Sequence, residues 1–65
     1  MTSDPDILRT ANLLIRKHGA DAEMAAAMKA DEMLTAGDVE GERVWLRVIK
    51  AIRELQDTTR PALLN

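Results

Sequence analysis

The single histidine, His18, is the only residue of this sequence whose side chain ordinarily titrates near neutral pH. Proton transfer or metal binding would require partners for it, and the chain contains no second histidine and no cysteine. His18 ends an amphipathic stretch directly before Gly19, where a protonated imidazole interacts favourably with the C-terminal end of a helix. We therefore expect a partly buried histidine with a structural role, and no catalytic residue.

Acidic residues surround a second glycine, Gly37, and carboxylates are ligands that calcium prefers. The cluster consists of Asp31, Glu32, Asp38, Glu40 and Glu42. An EF-hand loop carries its glycine at position 6, whereas counting from Asp38 places the next glycine, Gly41, at position 4. Because an apolar helical pattern follows, these acids are better explained as stabilising a helix N-terminus. The sequence predicts no metal site and no cofactor.

Length and composition exclude several classes of function. With 65 residues, the chain forms one domain that is too small for a deep cleft, and without cysteine it has no disulfide and no thiol nucleophile. We therefore expect no enzyme and no small-molecule ligand. No apolar run approaches the ~20 residues that span a membrane, and the N-terminus lacks the features of a signal peptide. These features predict a soluble protein of the cytoplasm.

Three basic residues, Arg43, Arg47 and Lys50, follow one another at helical spacing. This pattern permits an alternative interpretation, a small nucleic-acid-linked regulator of helix-turn-helix type with its third helix in the DNA groove. Two features argue against it. The leading end of that helix is acidic, and the formal net charge of the chain is −2. Nucleic acid is thus the weaker alternative.

Glycines and prolines divide the chain into helical segments. Asp4 and Pro5 suit the start of a helix over about residues 5–18, which Gly19 ends. Its apolar residues recur at intervals of three and four, a pattern typical of an amphipathic helix. They are Ile7, Leu8, Ala11, Leu14 and Ile15.

The second and third helices are predicted over about residues 21–36 and 39–57, separated by Gly37 and Asp38. At ~100° per residue, one face of the second helix carries Ala26, Ala27, Ala30, Met33 and Leu34. The third helix has a broader apolar stripe, in which we expect Trp45 to fill the centre of the core. Its members are Gly41, Val44, Trp45, Val48, Ala51, Ile52 and Leu55. Gly41 on this stripe predicts close approach of another backbone, because glycine otherwise weakens a helix.

These segments predict an all-α fold, a compact antiparallel three-helix domain over residues 1–65. Turns this short leave neighbouring helices little choice but to fold back or cross. No alternating run suggests a strand. Residues 58–65 form a short C-terminal tail, which either frays or docks its two leucines.

The pattern of small and apolar residues resembles small uncharacterised helical proteins of alphaproteobacteria. The resemblance covers about residues 7–56, and its most specific part is Gly-Asp-x-x-Gly-x-x-x-Trp at residues 37–45. The wider series comprises His18, Ala27, Ala30, Leu34, Ile49, Ala51 and Ile52. The resemblance implies a bacterial, cytoplasmic origin and implies no activity.

Apolar residues outside the predicted core faces suggest an interaction surface, because several of them on one small domain exceed what a solvated surface needs. They are Leu13, Met24, Met28 and Leu46. Charge is also segregated: residues 21–38 are acidic, and the basic residues Arg43, Arg47 and Lys50 lie in the third helix. We therefore expect a non-enzymatic protein that acts through protein–protein interaction or self-association, as a homodimer or with another protein.

Overall fold

In a computed structural model of this protein, the structure describes residues 4–59, with side chains described through residue 57. Three α-helices follow one another: α1 (Pro5–His18), α2 (Ala22–Thr35) and α3 (Val39–Thr59). A 3-10 turn, Gly19–Asp21, joins α1 directly to α2, so helical structure is continuous from residue 5 to residue 35. The all-α prediction is confirmed for the described residues, none of which forms a strand. Residues 60–65, most of the predicted tail, lie outside them.

Local side-chain chemistry sets the ends of α1. The Asp4 carboxylate accepts a hydrogen bond from the Asp6 amide at 2.9 Å, with Pro5 in the first turn. This cap satisfies a backbone donor that lacks a helical partner. At the other end, Gly19 adopts φ of 59° and donates to the carbonyl oxygen of Ile15. A positive φ of this kind favours glycine, which explains why the helix ends there.

Buried residues from all three helices form one core cluster. It contains Ala11 of α1, two alanines of α2, and, from α3, Val48, Ala51 and Ile52. Ile52 and Val48 are its largest fully buried side chains. Trp45 is only half-buried and packs against this cluster, so the prediction that it fills the centre is wrong. Alanine on α1 and α2 leaves space for the β-branched residues of α3 instead.

The buried line of α2 consists of alanines spaced four residues apart, Ala22, Ala26 and Ala30. The sequence had favoured Ala27 and Leu34 on this face, and both are exposed. Alanine and methionine lie on every side of α2, so its sequence shows little difference between the buried and exposed faces. Alanine side chains allow α2 and α3 to approach closely, and this packing selects the line that is buried.

The last part of α2, the following turn and the first part of α3 form what we call the hairpin end, residues 31–47. Within these described residues no side chain is buried, although Met33 and Trp45 are half-buried. Val44 illustrates the change: 45% of its surface is exposed, whereas Val48, one turn later on the same face, is 1% exposed. The core therefore ends at about Trp45. The part of α3 that precedes this residue extends past the core.

Candidate protein-interaction surface

The structure places the predicted interface residues on the surface. Leu13, Met24, Met28 and Leu46 are each at least 49% exposed, and the three basic residues Arg43, Arg47 and Lys50 are also exposed. Helix geometry, however, separates them into groups. At 100° per residue, Leu13 lies about 160° around α1 from the buried Ala11. It therefore faces away from the other two helices.

The surface beside Leu13 is open. Two shallow depressions lie there, and every residue that lines them belongs to α1, among them Thr10, Leu14 and Lys17. A depression bordered by a single helix does not enclose a ligand, because enclosure requires walls from more than one element. Leu13 is therefore separate from the surface described next.

An ion pair marks one side of the hairpin formed by α2 and α3. The Arg53 Nε lies 2.6 Å from the Glu23 Oε2, across the junction of the two helices. Leu46 precedes Arg53 by seven residues, and Leu34 follows Glu23 by eleven. At 100° per residue, each of these spacings returns to within about 20° of the same side of the helix. The two exposed leucines thus lie farther along the side that this ion pair marks.

We call this side of the hairpin the seam. Small or apolar residues form its middle, and they are Ala27 and Leu34 of α2 with Leu46 and Ile49 of α3. Of these, Ile49 is half-buried and the other three are exposed. The Glu23–Arg53 pair closes one end of the seam, and the hairpin end lies at the other. The result is an apolar strip between two parallel rows of side chains.

The two rows that border the seam differ in charge. On α2, Asp31 lies one turn from both Ala27 and Leu34. Met24 lies seven residues before Asp31, on the same side of the helix. On α3, Arg43 and Lys50 flank Leu46 at three and four residues. Residues 43–53 contain four basic side chains and no acidic one. Across the apolar strip, the α2 border thus carries Asp31 and Met24, and the α3 border carries Arg43 and Lys50.

The border charges have no ion-pair partner in the part of the chain that the structure describes. The ion pairs there are Glu23–Arg53 and Lys29–Glu32. Asp31, Arg43 and Lys50 take part in neither. Arg47 lies about 100° around α3 from Leu46, since it is the next residue, and thus points away from the seam.

The sequence interpretation missed that Leu34 and Val44 would be exposed. Both lie at the hairpin end together with Val39 and Leu46, so this short segment holds four of the seven large apolar residues that are exposed within residues 4–57. The eleven-residue spacing from Glu23 to Leu34 was readable in the sequence. Only the Glu23–Arg53 contact, however, identifies that side as the junction with α3.

Two further expectations require correction. His18 is exposed rather than partly buried, because it is the last residue of α1 and lies seven residues beyond Ala11, where that helix is buried. Gly41 does not meet another backbone; a side chain at this position would lie 2.6 Å from the Asp38 Oδ2 and 2.8 Å from the Met33 sulfur. The Asp38 carboxylate is held there because its Oδ1 accepts a hydrogen bond from the Gly41 amide at 2.8 Å. Gly41 therefore leaves room for the cap of α3.

The acidic residues near the turn do not form a metal centre in residues 4–57. No three potential ligands among these side chains are placed to hold one ion together. Over the described helices, none combines the length and apolar character required to cross a membrane.

No protein-family model matches this sequence, and no curated protein and no solved structure matches it either. The resemblance to small alphaproteobacterial helical proteins stays a prediction. Inferences about function therefore rest on the geometry of the seam.

Proposed function

We propose that this protein is a non-enzymatic cytoplasmic module that acts through protein–protein contact along the seam. The observation that supports this proposal is the pair of exposed leucines on the seam, Leu34 and Leu46, at the hairpin end, where no side chain is buried. Single exposed apolar residues are normal, but a group of them bordered by charge is typical of an interaction site.

The composition of the seam suits a protein partner. Leu34 and Leu46 offer aliphatic contact area, and Met24 beside them has a flexible side chain that adapts to an opposing surface. Charged residues along both borders favour one orientation of a partner and disfavour others. These properties support recognition without any requirement for a reactive side chain.

Photo-crosslinking in the native cell tests this proposal. A photoreactive amino acid at Lys50 lies on the basic border of the seam, and the same probe at Asn12, on the exposed side of α1, is the matched control. We expect a discrete protein adduct from position 50 and none from position 12. Leu34→Glu should abolish the adduct, because it places a charge in the apolar strip.

The nature of the adduct distinguishes the alternatives. Absence of a discrete adduct at position 50 would contradict the proposal. An adduct that nuclease removes would support the nucleic-acid alternative instead. An adduct of protein character that survives Leu34→Glu would show that the contact does not depend on the seam.

A further inference from the structure

We infer that the partner on the seam is a second copy of this chain, related by a two-fold axis parallel to the α2–α3 hairpin. In this arrangement α2 of each copy packs on α3 of the other. The inference rests on the proposed function, since it identifies the partner of that same surface. It follows from the register of the hairpin and from the charges along its two borders.

The short turn and the contact beside it indicate the register of the two helices. Met33 of α2 and Gly41 of α3 lie side by side, because a Cβ atom on Gly41 would be 2.8 Å from the Met33 sulfur. Asp31 is two residues before Met33, and Arg43 is two residues after Gly41. Because α2 and α3 are antiparallel, residues that are equally far from this contact in the sequence lie at the same level, that is, at the same distance from the turn along the hairpin. Asp31 and Arg43 therefore lie at the same level on opposite borders of the seam.

The same counting applies to the apolar candidates. Met28 is five residues before Met33, and Leu46 is five residues after Gly41. They lie at one level, but Met28 directly follows Ala27 and therefore lies about 100° around α2 from the seam, as Arg47 does on α3. The matched pair that borders the seam is therefore the acidic–basic one, with Asp31 on α2 and Arg43 on α3.

A two-fold axis parallel to the helices converts these matched levels into contacts between copies. Rotation about it exchanges the positions of α2 and α3 and keeps every level unchanged. Asp31 then faces Arg43 of the second copy. Each contact occurs twice, as an isologous interface requires.

The other two-fold arrangement of the same faces is disfavoured. An axis perpendicular to the helices would place α2 on α2 and α3 on α3. The basic segment of residues 43–53 would then meet itself, and Asp31 would lie on an acidic helix. Because like charges opposed across an interface are repulsive, the charge pattern selects the parallel axis.

A charge exchange between two variants tests both the partner and the axis. Sedimentation velocity on the purified full chain, from about 1 to 300 µM, should show a dimer of the 7.2 kDa chain. Arg43→Glu alone and Asp31→Arg alone should each weaken dimerisation at least about tenfold, because each opposes like charges at two symmetric positions.

Mixing the two variants in equal amounts should restore a heterodimer. In that mixture the introduced arginine at position 31 faces the introduced glutamate at position 43, and the unchanged Arg43 faces the unchanged Asp31. Arg9→Glu on the exposed side of α1 is the matched control and should dimerise as the unchanged protein does. Circular dichroism confirms that each variant is folded.

Three results would overturn the inference: a monomer at every concentration, a dimer that Arg43→Glu leaves intact, or single variants that fail to recover when mixed. A monomer combined with a discrete adduct of another mass at position 50 would leave the proposed function standing and reject only the second copy. Loss of that adduct as well would reject both.

Discussion

Val48 and Val44 are the same residue type, one turn apart on the same face of α3, and their surroundings differ completely. Val48 lies in the core cluster with Ala11 and Ile52, and Val44 lies at the hairpin end with nearly half of its surface exposed. The apolar stripe of α3 is continuous across this change. Amphipathic periodicity therefore identifies the side of a helix that could be buried, and the neighbouring helices determine how much of it is.

The largest contrast is expected when both valines are shortened. Val48→Ala should lower the free energy of unfolding by about 2 kcal/mol, because it removes buried methyl groups and leaves a cavity. Val44→Ala, its matched control, should cost less than about 0.5 kcal/mol, as is usual for surface substitutions. Urea unfolding of the two variants checks this. Equal losses would contradict the division between core and hairpin end.

A smaller effect is expected at the cap of α3. Asp38→Ala should cost about 1 kcal/mol, since it removes the carboxylate that accepts from the Gly41 amide. Gly41→Ala alone should gain about 1 kcal/mol of helix propensity. The added methyl group would crowd the Asp38 carboxylate, however, and this contact reduces the gain.

Combining the two cap substitutions sharpens the test. In the Asp38→Ala background, Gly41→Ala should raise stability by about 0.5–1 kcal/mol more than it does in the unchanged protein. Thermal unfolding of the four proteins gives this coupling. Strict additivity would show that Asp38 does not restrict the residue at position 41.

The smallest effect is expected at the ion pair that closes the seam. Its side chains are 67% exposed at Arg53 and 37% exposed at Glu23. A double-mutant cycle with alanine at both positions should therefore give only about 0.2–1 kcal/mol. This energy should fall in about 1 M salt, where exposed charges are screened. A value that salt does not change would mean that packing, and not charge, stabilises this end.

The sequence predicts the helices well because their ends carry strong local signals. Asp4, Pro5 and Gly19 set the limits of α1 through capping and positive φ, effects that need no tertiary contact. The stripe of α3 is also readable, since β-branched residues recur at helical spacing. The continuous path through Gly19–Asp21 was not predicted, because a 3-10 turn and a short loop have the same sequence signals there.

The buried face of α2 and the position of Trp45 depend on tertiary packing. Alanine is compatible with a buried and with an exposed position, so Ala27 could not be distinguished from Ala22 by residue type. Trp45 has the size expected of a core residue, yet it lies one turn before the cluster around Val48. Candidate residues Leu46, Arg43 and Lys50 were predicted individually. Helical spacing places them on one side of α3, and the contacts of Met33 and Glu23 show that this side adjoins Asp31 and Leu34 of α2.

The absence of buried side chains over residues 31–47 also affects how this segment can change during evolution. A substitution in the core cluster is selected first by whether the chain still folds. At the hairpin end, most substitutions away from the Asp38 cap leave folding stability nearly unchanged, so under the proposed function selection there acts mainly on binding. The hairpin end can therefore acquire a new specificity through a series of single substitutions, each of which yields a folded protein.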